Sequence, residues 1–396
     1  MSIRILSAAS CALVCLLSAC VSPRPLRETS PVRIGIYADL SSAGAREGTD
    51  ALRGAELRVA QTNAAGGLGG RQVELVSLDM KQNATEAVKA YTQLAQEEGI
   101  CAVIGAAVKS SGLAVSAVAD LSRVPLVSLG IDDRVTTPDM KPDNPDQAGA
   151  VRQFSFLVQA SATQSAASLA GFAAARFPAY RYATLYDPVD PVSVLQARAF
   201  ESVIRKSKRE AAASLAMAEG EQESAVQALR RAGAEAVYVC GSVEKDAEAA
   251  KAIRAALPGI LLLGNQAWGA PLASLAGDAA NDAWFSASYS PEDPGLAEIA
   301  PVFAERFDDA MRPAAAAAWD VVGLILAAVR KAGTSSPARV RDALEQASGF
   351  KVLQGTLDMD RKTHRPAFPP VAIMRILAGE YRTENPRYVY KPPRPQ

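Results

Sequence analysis

From residue 31 onward, short apolar runs alternate with stripes of helical period. Val32-Arg33-Ile34-Gly35-Ile36-Tyr37 reads as a buried strand. Ala51, Leu52, Ala55, Leu57, Val59 and Ala60 recur at helical spacing behind it. Asn63-Ala64-Ala65-Gly66-Gly67-Leu68-Gly69-Gly70-Arg71 stops that helix and turns the chain back. In residues 72–78, Val73, Leu75 and Leu78 alternate with polar residues as in a strand. The pattern then predicts a helix over 84–98, a strand at Ala102-Val103-Ile104-Gly105, a helix over 111–121 and a strand at Pro125-Leu126-Val127-Ser128. Strand and helix alternating at this interval imply βαβ units, a parallel sheet and right-handed crossovers.

A polar, proline-rich stretch over 132–145 interrupts the pattern. It then resumes. Residues 151–157 read as a strand crossing to a second lobe. Helices are expected over 162–177, 193–206, 222–232, 245–256 and 271–276. Strands are expected over 182–187, 210–216, 236–240, 260–263 and 283–285. A second βα repeat of similar size means that the sheet architecture occurs twice. Residues 293–311 and 314–331 form amphipathic helices. The run Ala314-Ala315-Ala316-Ala317-Ala318 supplies a strong helix former with a small face for close packing.

Five phrases in the first repeat resemble a known family. They are Val32-Arg33-Ile34-Gly35-Ile36, Gly54-Ala55-Glu56-Leu57, the glycine-rich phrase from Asn63 to Arg71, Ala102-Val103-Ile104-Gly105 and Val124-Pro125-Leu126-Val127-Ser128. In this order and spacing they resemble the leucine/isoleucine/valine-binding proteins, the type I periplasmic substrate-binding proteins of ABC transporters. Weaker similarity continues to about residue 380. The resemblance implies an α/β fold of the periplasmic-binding-protein type I class: two Rossmann-like lobes joined by a three-crossing hinge, with crossings near 150, 285 and 354. It divides the chain into a first lobe over 32–150, a second over 151–285, a return to the first over 286–353, a second-lobe hairpin over 354–385 and a proline-rich tail over 386–396.

Residues 1–20 read as an address. Arg4 is a charged n-region, residues 5–17 are apolar, and Leu17-Ser18-Ala19-Cys20 resembles a bacterial lipobox. In that reading the Cys20 thiol carries the lipid. The other reading is an ordinary signal peptide cut near Ala19. Residues 21–31 form a proline-rich tether. The expected place is the cell envelope, lipid-anchored and facing the periplasm or exterior.

Charge adds little drive toward nucleic acid or an anionic membrane, because 42 basic residues balance 42 acidic ones. Removing residues 1–19 takes away Arg4 and leaves one more acidic residue than basic. Past Cys20 only Cys101 and Cys240 remain. They fall on strands of different repeats and read as buried free thiols. Two cysteines cannot build a structural zinc site, and no cofactor or metal is expected.

The glycine cluster at 66–70 follows a helix and precedes a strand. A phosphate cradle needs the opposite order, so this one reads as a helix cap and turn. The single histidine, His364, sits in the polar run Asp360-Arg361-Lys362-Thr363-His364-Arg365 and reads as exposed. No Gly-x-Ser-x-Gly elbow or P-loop is present. A non-enzymatic role follows.

Open α/β sheets bind ligands at the carboxyl ends of their strands. That selects loops 39–44, 106–111 and 130–133 in the first repeat. In the second it selects 186–192, 241–244 and 265–268. The candidate ligand residues are Ser110, Ser111, Gly130, Asp132, Tyr186, Asp187, Ser242 and Gln266. Ser110 and Ser111 open a helix that either holds a ligand carboxylate or is only capped by them. Asp39, Asp132 and Asp133 would repel a second carboxylate on the ligand, unless Asp132 and Asp133 merely start the following loop. The chain departs from the resembled family here. Asp132 stands where a hydroxyl is common. Gly44, Pro191 and Ser242 stand where aromatics are common, and Gln266 replaces an acidic residue.

Two functions fit. The first is a lipid-anchored binding protein that captures a small polar, amino-acid-like solute between its lobes and delivers it to an ABC permease. The second is a cell-envelope regulatory or scaffold lipoprotein that uses the same fold for protein contacts.

Overall fold

The computed structural model describes residues 29–106, 111–141, 149–218 and 220–392. Residues 1–28, with Cys20, and Ser110 lie outside the described residues.

In the first half the chain runs β1 (Val32–Ala38), α1 (Arg46–Ala64), β2 (Val73–Asp79), α2 (Ala84–Gln96), β3 (Ile100–Gly105), α3 (Ser111–Ser122), β4 (Leu126–Ser128) and β5 (Ser155–Leu157). These five strands form one parallel sheet in the order β2-β1-β3-β4-β5. Every residue of β3 is buried, which explains its unbroken apolar run. The glycine cluster is the expected cap and turn. Gly66, Gly67, Gly69 and Gly70 all have positive φ, and a Cβ on Gly67 would lie 2.1 Å from the Arg71 carbonyl.

The second half runs α4 (Ala162–Arg176), β6 (Tyr182–Tyr186), α5 (Pro191–Lys206), β7 (Ala211–Ala216), α6 (Gln222–Ala232), β8 (Ala236–Cys240), α7 (Val243–Ala256), β9 (Leu261–Gly264), α8 (Ala270–Ala276) and β10 (Ala283–Ala287). Its parallel strands take the order β7-β6-β8-β9-β10, the same winding as the first sheet. In both sheets the winding reverses beside the first strand. The crevice at that switch is where such sheets take ligands.

The chain then returns to the first lobe through α9 (Pro294–Phe307), α10 (Pro313–Ala332) and α11 (Pro337–Glu345). Ala318, Val321, Val322 and Ile325 of α10 pack in one cluster with Ile34, Ile36 and Ile104. Helix α10 is long and apolar enough to cross a membrane, but it is mostly buried as a core helix. Two short ladders follow, β11 (Phe350–Val352) with β12 (Gly355–Leu357), and β13 (Met359–Asp360) with β14 (Arg365–Pro366). Finally β15 (Val371–Leu377) and β16 (Glu380–Tyr388) join the second sheet antiparallel beside β10.

Two boundaries differ from the sequence reading. Residues 151–157 do not cross near 150, because β5 pairs with β4 at the edge of the first sheet. The chain leaves only between Leu157 and Ala162. It crosses again between Ala287 and Pro294. The turn expected near 354 also comes later, between Pro366 and Val371, because Leu357 and Met359 are buried in the first-lobe core. The described part of the tail, up to residue 392, is more ordered than its prolines suggest. Strand β16 runs to Tyr388, and the Tyr390 ring lies where a Cβ on Gly171 would sit. Cys101 and Cys240 are both buried and not joined in a disulfide, as expected.

Candidate functional site

The first-lobe loops are shaped by their own carboxylates. Asp39 is buried and accepts from the Ser42 amide at 3.2 Å and from the Ser42 hydroxyl. Asp79, at the end of β2, accepts from the Leu40 and Lys81 amides at 3.0 and 2.9 Å. These turns hold loop 39–44 against the sheet. The Gly130 amide donates to Ser128 Oγ at 3.0 Å. Asp132 caps a short 3-10 turn through the Arg134 amide at 3.0 Å. It also receives the Arg134 guanidinium through Nε at 3.0 Å and Nη2 at 2.7 Å. Ser111 is buried as the first residue of α3.

Asp133 faces the hinge. Its carboxylate accepts from Ser161 Oγ and Thr163 Oγ1, each at 2.6 Å, from the Thr163 amide at 3.0 Å and from Arg365. Arg365 comes from far along the chain and neutralises this aspartate. Asp133 therefore carries no uncompensated charge to set against a second ligand carboxylate.

In the second lobe, Tyr186 takes the Arg198 guanidinium over its ring at 5.1 Å and accepts from Arg198 at its hydroxyl at 3.2 Å. This side chain therefore packs against α5. Asp187 is joined to the Lys245 ammonium at 2.6 Å. Ser242 caps α7, and its hydroxyl accepts from the Lys245 amide at 3.5 Å. Lys245 thus brings Asp187 and Ser242 together. Gln266 stands apart from them. Its amide nitrogen donates to Ser165 and to the Ala160 carbonyl, and its oxygen accepts from Ser288 at 3.1 Å. Beneath the loops, Asp246 is buried and accepts from Trp268 Nε1 at 2.8 Å and from the Gly241 amide at 3.3 Å. Burial pushes its carboxyl up to about 7.

The two sets of loops sense each other. The hydrogen-bonded Asp132 is the main cause of a raised Arg134 pKa, and Asp190 of the second lobe contributes as well. The candidate ligand residues left out Arg134, Lys245 and Asp190, although Arg134 follows Asp132 and Asp133, Asp190 falls inside the chosen loop 186–192 and Lys245 adjoins the chosen loop 241–244.

A periplasmic binding protein family model matches residues 31–380. The chain belongs to that family. No curated protein matches it. Solved structures of the same two-lobe fold include the leucine-binding protein LivK from Thermotoga maritima. That structure is 19% identical, covers 89% of this chain and 98% of its own, and has a TM-score of 0.73. The branched-chain amino-acid transporter substrate-binding protein LivJ from Streptococcus pneumoniae, in complex with isoleucine, is 22% identical over 91% of this chain and 100% of its own, with a TM-score of 0.71. A solute-binding protein of an ABC transporter from R. palustris, in complex with benzoate, is 19% identical over 91% and 97%, with a TM-score of 0.68. At these identities the likeness establishes the type I fold.

For a periplasmic binding protein, the region of greatest interest besides the loops is the hinge. His364 is there, buried rather than exposed. Its ring stacks on Phe156 with centroids 4.5 Å apart. Nδ1 lies 3.2 Å from the Ser155 carbonyl and Nε2 lies 3.2 Å from Glu345. The surrounding polar run misled the sequence reading, since the ring turns inward at a residue with φ of 53°. Among the described residues no group of three potential metal ligands occurs.

Proposed function

We propose that this protein is a lipid-anchored, extracytoplasmic solute-binding component of an ABC transporter. It captures a small amino-acid-like or aromatic carboxylate between its lobes and presents it to a permease without making or breaking a bond. The observation that carries the reading is the pair of identically wound parallel sheets, each with charged and polar loops at its switch point. The solutes named for solved relatives, isoleucine and benzoate, share one carboxylate and an apolar body. Neutralisation of Asp132 and Asp133 by Arg134 and Arg365 makes such an anion acceptable near the first-lobe loops.

The proposed first-lobe contacts are Ser110, Ser111, Gly130 and Asp132, with Arg134 added. The second-lobe contacts are Asp187, Ser242 and Gln266, with Lys245 added and Tyr186 supporting through Arg198. We assign residues 29–157 and 294–366 to one lobe and 162–287 and 371–392 to the other. Cys20 would carry the lipid.

A second reading, a scaffold that contacts protein, is favoured by one observation. Two hollows, of about 50 and 230 Å³, lie at the hinge and on the outer face of α4 and α5, and neither is lined by any of these candidate residues. A thermal-shift screen over neutral, cationic and acidic amino acids, benzoates, polyamines and small sugars separates the readings. Saturable stabilisation by an amino acid or benzoate supports capture. A flat response across the panel supports the scaffold.

A further inference from the structure

The backbone of Leu353 is gripped from both lobes. Its amide donates to Asp320 of α10, at 3.0 Å to Oδ1 and 3.1 Å to Oδ2. Its carbonyl accepts from Arg387 of β16 at 2.8 Å. Arg387 also clamps the buried carboxylate of Asp293 at 2.7 and 3.0 Å, where the second crossing enters α9. Tyr289 of the same crossing donates its hydroxyl to Asp320 at 3.0 Å. A Cβ on Gly295 would lie 2.1 Å from the Leu353 carbonyl, so α9 is pressed against this point. A first-lobe helix, the second crossing and a second-lobe strand therefore meet around one residue.

Asp320 is the weak member of this joint. It is 4% exposed and lies among Tyr289, Leu353, Ala316 and Ala317. The groups that face it are few. Arg58 of α1 acts on it only at a distance, with its guanidinium stacked 3.9 Å over the Trp319 ring. Asp293 adds a second negative charge, already held by Arg387. Tyr289 and the Leu353 amide are its hydrogen-bond donors. Asp358 lines the same small hollow beside it. An ionised carboxylate buried without a cation in contact is costly.

We propose that this joint is a proton-controlled hinge, tight when Asp320 is protonated and loosened when it ionises. The linkage has one sign. The buried, engaged carboxyl holds its proton more tightly than a hydrated one would, so acid favours the engaged joint and base favours its opening. Burial pushes the group up to about 7, which puts the change near neutral pH.

The proposal rests on hinge motion between the lobes but needs no solute, so a failed ligand screen leaves it standing. The test is hydrogen exchange at the Leu353 amide in the full chain, corrected for intrinsic exchange, together with small-angle scattering from pH 6 to 8.5. The wild type is expected to lose about tenfold in protection and to gain in radius of gyration as pH rises. Asp320→Asn is expected to show neither trend. Tyr289→Phe removes a donor that favours the ionised form, so its midpoint is expected at higher pH than in the wild type. A pH-independent wild type overturns the proposal in either readout. So does an Asp320→Asn variant that keeps the wild-type slope. Should Asp320→Asn not fold, an unmoved midpoint in Tyr289→Phe overturns it alone.

Discussion

Arg365 and Asp133 are 232 residues apart in the chain, yet they form an ion pair with side chains only 7% and 0% exposed. Asp133 follows the last inner strand of the first lobe. Arg365 immediately precedes the third crossing. The same carboxylate receives Ser161 and Thr163 at the start of the second lobe. One buried charge therefore ties the first and third crossings together.

Removing one partner leaves the other charge buried. Arg365→Met is expected to lower unfolding free energy by about 3–5 kcal/mol. Asp133→Asn combined with Arg365→Met should recover a large part of that loss. Urea denaturation of both variants is the check. A single variant within about 1 kcal/mol of the wild type would mean that the pair is solvated in solution.

Two buried groups give stability opposite pH trends. Asp246 titrates at about 7 in the fold against an ordinary value of 3.8, so between those values the folded chain binds more protons. Its contribution therefore improves as pH falls from 7 toward 4. Asp246→Asn keeps an acceptor for Trp268 and carries no charge to bury. It should be more stable than the wild type at pH 8, by on the order of 1 kcal/mol or more. Burial lowers the His364 pKa below 6.5, so the unfolded chain takes up the proton first and stability is lost as pH drops below 6.5. His364→Gln should flatten that acid limb. Melting temperatures of the three proteins from pH 5 to 8.5 decide, and parallel curves would refute both assignments.

The inner strands were legible because both faces of a parallel sheet are covered, which leaves an apolar run such as 100–105. Strand β16 was hidden for the converse reason. Glu380–Tyr388 lies at an edge and alternates charges with Tyr and Thr. Its one signal was the turn at Ala378-Gly379, where both residues have positive φ, a hairpin geometry. Helix α11 was also missed, although Pro337 opens it. The candidate loops followed from topology alone. Their charge state did not, because Asp133 is answered by Arg365 across the whole chain, and Asp187 by Lys245 at the start of a later helix.

The lipobox-like run Leu17-Ser18-Ala19-Cys20 leads to a separate expectation. If Cys20 carries the lipid, Cys20→Ala should move the protein from the membrane pellet to the soluble envelope fraction, since the anchor is lost with the thiol. Unchanged sedimentation with membranes would remove the lipid from the reading.

The two cations beside the candidate loops should act differently on the solute. Arg134 has five donors and directs Nε and Nη2 at Asp132, so others remain for a carboxylate. Arg134→Met is expected to weaken isoleucine and benzoate alike, by about tenfold or more, the worth of one charge-assisted hydrogen bond. Lys245→Met instead strips Asp187 of its counter-charge. The bared carboxylate would welcome an ammonium and repel an anion. Benzoate should therefore weaken, while isoleucine holds or tightens. Calorimetric titration of both variants with both solutes makes the comparison. Equal losses for the two solutes in Lys245→Met would place Asp187 away from the solute amine. Unchanged affinities in both variants would move the binding site off these loops altogether.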